Sequence, residues 1–93
     1  QIEQEAFPLY KTNPIPKYPR LARRRGCQGT VVLSVFVNEN GYVTNLWMFT
    51  SSGYRLLDNA AVKAVRNWSF EPGKKGSKKV AMWVKVPIRF RLK

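Results

Sequence analysis

The side chains that carry most protein chemistry are scarce in this 93-residue chain. It has no histidine, one cysteine (Cys27), and five scattered acids: Glu3, Glu5, Glu39, Asp58 and Glu71. Without histidine the Cys27 thiol has no base to activate it, and isolated carboxylates do not make the pairs that general acid–base catalysis needs. One cysteine with no histidine supplies no metal-ligand cluster. No glycine-rich loop stands between a strand and a helix to cradle phosphate. The expectation is a protein that is not an enzyme, with no catalytic residue, no metal and no cofactor. A single cysteine also excludes an internal disulfide framework; Cys27 reads as a small buried residue at a strand start. Asp58 reads as a carboxylate in the first turn of a helix.

What chemistry remains is that of binding. Seventeen Lys and Arg against five acids give a formal charge of +12, which suits acidic partners: nucleic acid, an anionic membrane surface, an acidic polymer or an acidic protein patch. The chain is 44% hydrophobic and 13% aromatic, enough for one folded domain with a modest core. No apolar run reaches the length of a membrane span, and no signal-peptide pattern is read in these residues. Starting on Gln1 rather than Met is expected of a fragment or a processed chain.

Pro8, Pro14, Pro16 and Pro19 keep the first residues extended, so 1–13 reads as the end of a Pro-rich linker, extended or disordered, and 14–93 as the domain. A short helix fits Pro19 to Arg25, with Arg23, Arg24 and Arg25 in its last turn and Gly26 ending it. Thr30–Val37 alternates as a first strand, with Val31, Leu33, Val35 and Val37 on one face. Asn38–Gly41 reads as a hairpin turn, and Tyr42–Phe49 as the returning strand, with Leu46 and Met48 inward. Ser51-Ser52-Gly53 breaks that strand and offers hydroxyls to cap a second helix. Leu57, Ala60, Ala61, Ala64, Val65 and Trp68 recur at helical spacing up to Pro72-Gly73. Lys74–Lys79 is a basic loop, and Val80–Phe90 a final strand of strict alternation.

The expected fold class is α+β: a three-stranded antiparallel sheet in order 2-1-3, two helices packed on one face, chain order α-β-β-α-β. The first strand is then central and the third is an edge. That placement explains Pro87, which has no N–H for a ladder and is confined to edges, strand starts and bulges.

Two surfaces of such a sheet can bind. Phe36, Trp47 and Trp83 on the outer face could stack bases among basic residues, making a single-stranded nucleic-acid-binding module the alternative reading. The open third strand could instead take an extended peptide by strand addition. The RRM signature is absent, which weighs against the first.

The ordered set P-K-Y-P-R-L-A-R-R-R-G-C-Q-G-T-V-V-L, then N-E-N-G, S-S-G, L-D-N-A-A-V-K-A-V-R-N-W-S-F-E-P-G and finally V-P-I-R-F resembles the C-terminal domain family of TonB. The match runs from about Pro14 to Arg91. The motifs are weak singly and specific as a set. The resemblance implies a periplasmic domain of an energy transducer, joined through a missing N-terminal region to an inner-membrane anchor helix and a proton-driven motor complex. It implies that outer-membrane active transporters (importers of siderophores, cobalamin or metal complexes) are partners, through strand addition of their TonB box. The strand carried over is Val80, Ala81, Met82, Trp83, Val84, Lys85, Val86, Pro87, Ile88 and Arg89. The family's Q-P-x-Y-P segment maps onto Pro16, Lys17, Tyr18 and Pro19, with Ile15 where the glutamine stands. On this reading no nucleic acid is expected, a homodimer stays open, and a TolA-like envelope protein domain is the related alternative.

Overall fold

The computed structural model describes residues 2–92. In chain order the elements are β1 (Phe7–Pro8), α1 (Arg20–Arg24), β2 (Gly29–Val37), β3 (Val43–Thr50), α2 (Arg55–Val65), β4 (Phe70–Glu71), β5 (Gly73–Lys75), β6 (Lys78–Val80) and β7 (Met82–Phe90). The main sheet is antiparallel in the order β3-β2-β7, which is the 2-1-3 arrangement read from the sequence.

Alternation in β2 decides where the core lies. Val31, Leu33, Val35 and Val37 have no exposed surface, and they meet Val84, Val86, Ile88 and Phe90 from β7. Leu57, Ala61 and Val65, one per turn of α2, close this layer with Ala22 of α1. Each fully buried Leu or Val contributes about 1.5–3 kcal/mol, so this stripe is the main stabilising term.

Several details depart from the sequence reading, each for a local reason. The helix spans Arg55–Val65 rather than reaching Trp68. Beyond it Asn67 and Trp68 donate their N–H groups three residues back, to Ala64 and Val65, tightening the last turn. That turn buries Trp68, whose indole N–H donates to the Pro14 carbonyl at 2.9 Å. Met48 faces the core side beside Leu33 but stays 40% exposed at the sheet margin. The final strand is broken at Ala81: Met82 is the last residue opposite β2, which ends at Val37. Before the break the chain pairs instead with Gly73–Lys75, so much of the basic loop is a hairpin turning at Gly76.

Residues 3–9 also find partners no local pattern announces. Phe7 and Pro8 lie opposite Glu71 and Phe70, and Gln4 forms a bridge with Lys74. Ala6 is buried, with its N–H directed at the Met82 sulfur. Glycine is required at position 41. Its φ is +85°, and a Cβ there would run into the Phe70 carbonyl oxygen.

Ser51 and Ser52 do not cap α2. The N-cap position is Tyr54, which has no side-chain cap bond. The serines hold Asp58 instead: both hydroxyls and the Ser52 N–H donate to its carboxylate. Burial alone would push the Asp58 carboxyl up, but the Ser51 and Ser52 hydrogen bonds outweigh it and hold it below its ordinary value. A lowered folded value means stability that is present above the unfolded pKa and lost as pH falls through the folded one. Asp58→Asn is therefore expected to lower stability at pH 7, by an amount that solvent screening at this partly exposed site keeps small, and to flatten the acid limb. Urea midpoints from pH 7 down to pH 2 measure this; parallel curves for parent and variant would refute it.

Candidate partner-binding edge

Two hydrogen bonds orient the ladder. Asn38 donates its N–H to the Tyr42 carbonyl at 2.9 Å, and the Thr44 hydroxyl donates to the Phe36 carbonyl. The backbone groups of Asn38 and Phe36 thus point at β3. Successive residues of an antiparallel strand alternate sides, so Val37, Val35, Leu33 and Val31 point at β7. Their partners there are Met82, Val84, Val86 and Ile88. Trp83, Lys85, Pro87 and Arg89 consequently turn their backbone groups to the open side, where no strand pairs among the described residues. The nitrogen of Pro87 faces outward, and the ladder loses nothing by it.

Side chains follow the complementary rule. Val84, Val86 and Ile88 are buried, Met82 is half-buried, and Trp83, Lys85, Pro87 and Arg89 are exposed on the outer face. Val80 lies apart, ending β6 opposite Gly73, and Ala81 belongs to neither strand. The outer face is a connected aromatic surface. Phe36 and Trp83 have centroids 5.1 Å apart, Trp47 and Trp83 6.4 Å. Lys85 reaches inward over this face, its Nζ 4.3 Å from the Phe49 centroid. A bulge in β3 puts Phe49 there, since Leu33 pairs with Met48 and Val32 with Thr50. Sequence alternation missed this contact, because a bulge breaks the alternation.

The Pro16–Pro19 segment is divided between the two layers. Tyr18 packs edge-to-face against Phe90 at 5.4 Å, hydrogen-bonds the Cys27 carbonyl, and lies under the Arg23 guanidinium. It therefore stands at the far end of β7. Lys17 and Pro19 instead border a groove on α2 with Leu56, Ala60 and Lys63. Pro16 is half-buried, and Ile15 is 90% exposed. Glu5, not singled out by sequence reading, shares a depression with Ser34, Trp83, Val84 and Lys85. Only the pairing of its neighbours Gln4 and Phe7 with Lys74 and Glu71, more than sixty residues away, could have located it.

The architecture is that of a small α+β domain in which β7 is a nine-residue sheet edge with no strand on its outer side among the described residues. Residues 14–92 match the family model for the Gram-negative bacterial TonB protein C-terminal region, and the chain belongs to that family. It is 52% identical over 83 residues to protein tonB2 of Pseudomonas aeruginosa, covering 89% of this chain and 31% of that protein. It is 38% identical over 77 residues to protein TonB of Vibrio cholerae, covering 83% and 32% respectively. The chain thus spans under a third of these relatives' length. The solution structure of the Pseudomonas aeruginosa TonB C-terminal domain superposes with a TM-score of 0.74 at 28% identity, over 95% of this chain and 87% of that one. That of Helicobacter pylori gives 0.60 at 29% identity, over 84% and 70%.

If Pro87 limits pairing on the open side, Pro87→Val restores one outward donor without touching the ladder to β2. It is expected to leave the thermal midpoint within about 3 °C while promoting self-association. Sedimentation of parent and variant across concentration checks both points; an unfolded variant would mean that Pro87 faces β2.

Proposed function

We propose that the open edge of β7 receives the TonB box of an outer-membrane active transporter as an added strand. The domain then works in the periplasm as the terminal part of an energy transducer. It would pass work from the inner-membrane proton motive force to uptake of substrates such as siderophores, cobalamin or metal complexes. An N-terminal membrane helix and motor contact would lie in the part of the protein this sequence does not include. The domain needs no catalytic group for this task. The observation that carries the reading is the outward aim of the Trp83, Lys85 and Arg89 backbone groups along a strand whose other side alone is paired, with β2, among the described residues. Family membership supports it.

The energetics suit a tether that must also let go. About four to six backbone hydrogen bonds at roughly 1 kcal/mol net each give modest affinity. Tension applied along the strands loads those bonds together rather than in succession. Pro87 offers only a carbonyl, so the paired stretch centres on Trp83 and Lys85, with Tyr18 beyond its far end. The Pro16–Pro19 segment would flank the docked peptide there.

Amide shift mapping with a TonB-box peptide tests the edge. The Trp83 and Lys85 amides are expected to move most, with Val84 and Val86 amides remaining protected from exchange by β2. Shifts confined to β3 or α2 would overturn the proposal.

The four lysines of the β5–β6 hairpin, Lys74, Lys75, Lys78 and Lys79, lie beyond one end of this edge. Exposed charges act over about 8 Å at physiological salt, so they govern encounter more than the bound state. Replacing all four with Gln is expected to slow association and flatten its salt dependence in stopped-flow binding. Unchanged association at low salt would remove them from any steering role.

A further inference from the structure

The outer face of the sheet is left unexplained by strand addition. Both helices pack on the other side, and the outward residues of all three main-sheet strands are half-buried or exposed. Among them Trp47 is 60%, Phe49 59% and Trp83 43% exposed. Phe36, Trp47 and Trp83 form one contiguous apolar patch, with Phe49 on the same face beneath Lys85, and a patch of that kind marks a contact surface. Cations accompany it: Lys85 stands over Phe49, and Arg89 lies four residues on along the same face. Glu5 borders the patch beside Trp83 and Lys85.

We propose that this face docks on an anionic phospholipid bilayer. Three features select that occupant. First, the Trp47 and Trp83 rings stand 6.4 Å apart on the outer face and are both largely exposed, so they project from it as a ridge with Phe36 at its foot. Rings 6.4 Å apart leave no room for a flat base to slide between them, whereas exposed tryptophan rings fit the headgroup region of a bilayer. Second, the Lys85 ammonium lies over the Phe49 ring on the same face, where it would meet headgroup phosphates as the rings enter. Third, the charge is complementary, at +12 for the whole chain, with the lysine hairpin leading directly into the same long strand.

The geometry leaves the edge usable. Backbone hydrogen bonds of a sheet lie in its plane, whereas the ridge projects along the normal. With the ridge seated on lipid, the β7 edge runs parallel to the bilayer surface. Lipid docking stands on its own observations; only this consequence rests on the function proposed above.

Co-sedimentation of the domain with vesicles of phosphatidylcholine, alone or with about a quarter phosphatidylglycerol, provides the test. Binding is expected to the mixed vesicles, weakening with salt and shifting tryptophan emission to the blue. Trp47→Ser with Phe49→Ser removes exposed rings from β3, so the fold should persist by circular dichroism, and partition should drop about tenfold or more. Lys85→Gln with Arg89→Gln should lower partition more than Arg55→Gln with Lys63→Gln, a pair of equal charge on α2. Equal partition of the aromatic variant and parent, or equal effects of the two charge pairs, would overturn the proposal. So would retention of an oligonucleotide, or self-association, lost in the aromatic variant without any vesicle binding. The edge is read separately: TonB-box shifts at Trp83 and Lys85 that persist in the Trp47→Ser/Phe49→Ser variant show that peptide docking survives when lipid docking is lost.

Discussion

Val31, Leu33, Val35 and Val37 have no exposed surface, and the strand that carries them is paired along both sides. Sliding β2 by one residue would turn all four into water and bring Thr30, Val32, Ser34 and Phe36 under the helices. The penalty, several side chains at about 1.5–3 kcal/mol each, locks one register. Two consequences are unavoidable. β2 must have a strand on each side, here the edges β3 and β7, and the face opposite the helices must carry whatever alternates with the valines.

The two edges are managed differently. β3 is disturbed by register shifts near Thr44 and Phe49, which bend and twist it away from easy pairing. β7 pairs with β2 over nine residues, Met82 to Phe90, without a shift, so it stays straight. Its protection is chemical: charges at Lys85 and Arg89, and the missing donor of Pro87. A bulge would spoil the edge for every partner. A proline at one position shortens the pairing that any partner can achieve, yet leaves Trp83 and Lys85 with their full complement of backbone groups. The first device prevents strand addition, while the second bounds it.

Much of this was legible from periodicity, because the core is made by side chains two apart in strands and three or four apart in α2. The edge position of β7 was legible from one residue, Pro87, whose chemistry admits few sites. What periodicity could not show depends on where elements stop and on distant partners. The break at Ala81 reflects the end of β2 at Val37. The hairpin at Lys74–Lys79 arises because the strand needs a new neighbour beyond that point. Docking of residues 3–9 onto Phe70–Lys74 has no local signature, since short extended segments look alike until their partner is in place. The Lys85–Phe49 contact required a bulge. The serine pair was misleading because the same hydroxyls that cap helices also bind a carboxylate one turn into the helix.

A strand separates the directions in which a residue can work. Its N–H and C=O lie in the sheet, and its side chain stands on the face. Trp83, Lys85 and Arg89 therefore present backbone to the open side and side chains to the outer surface, with no competition between the two. Pro87 gives up half of its backbone share and keeps its place on the face. On the strand addition proposed above, the paired length would be short, and affinity would be limited by its few hydrogen bonds rather than by the residues around it. Any further gain in residence must come from contacts made at right angles to the ladder, and the ridge of Phe36, Trp47 and Trp83 is where this fold places apolar surface in that direction.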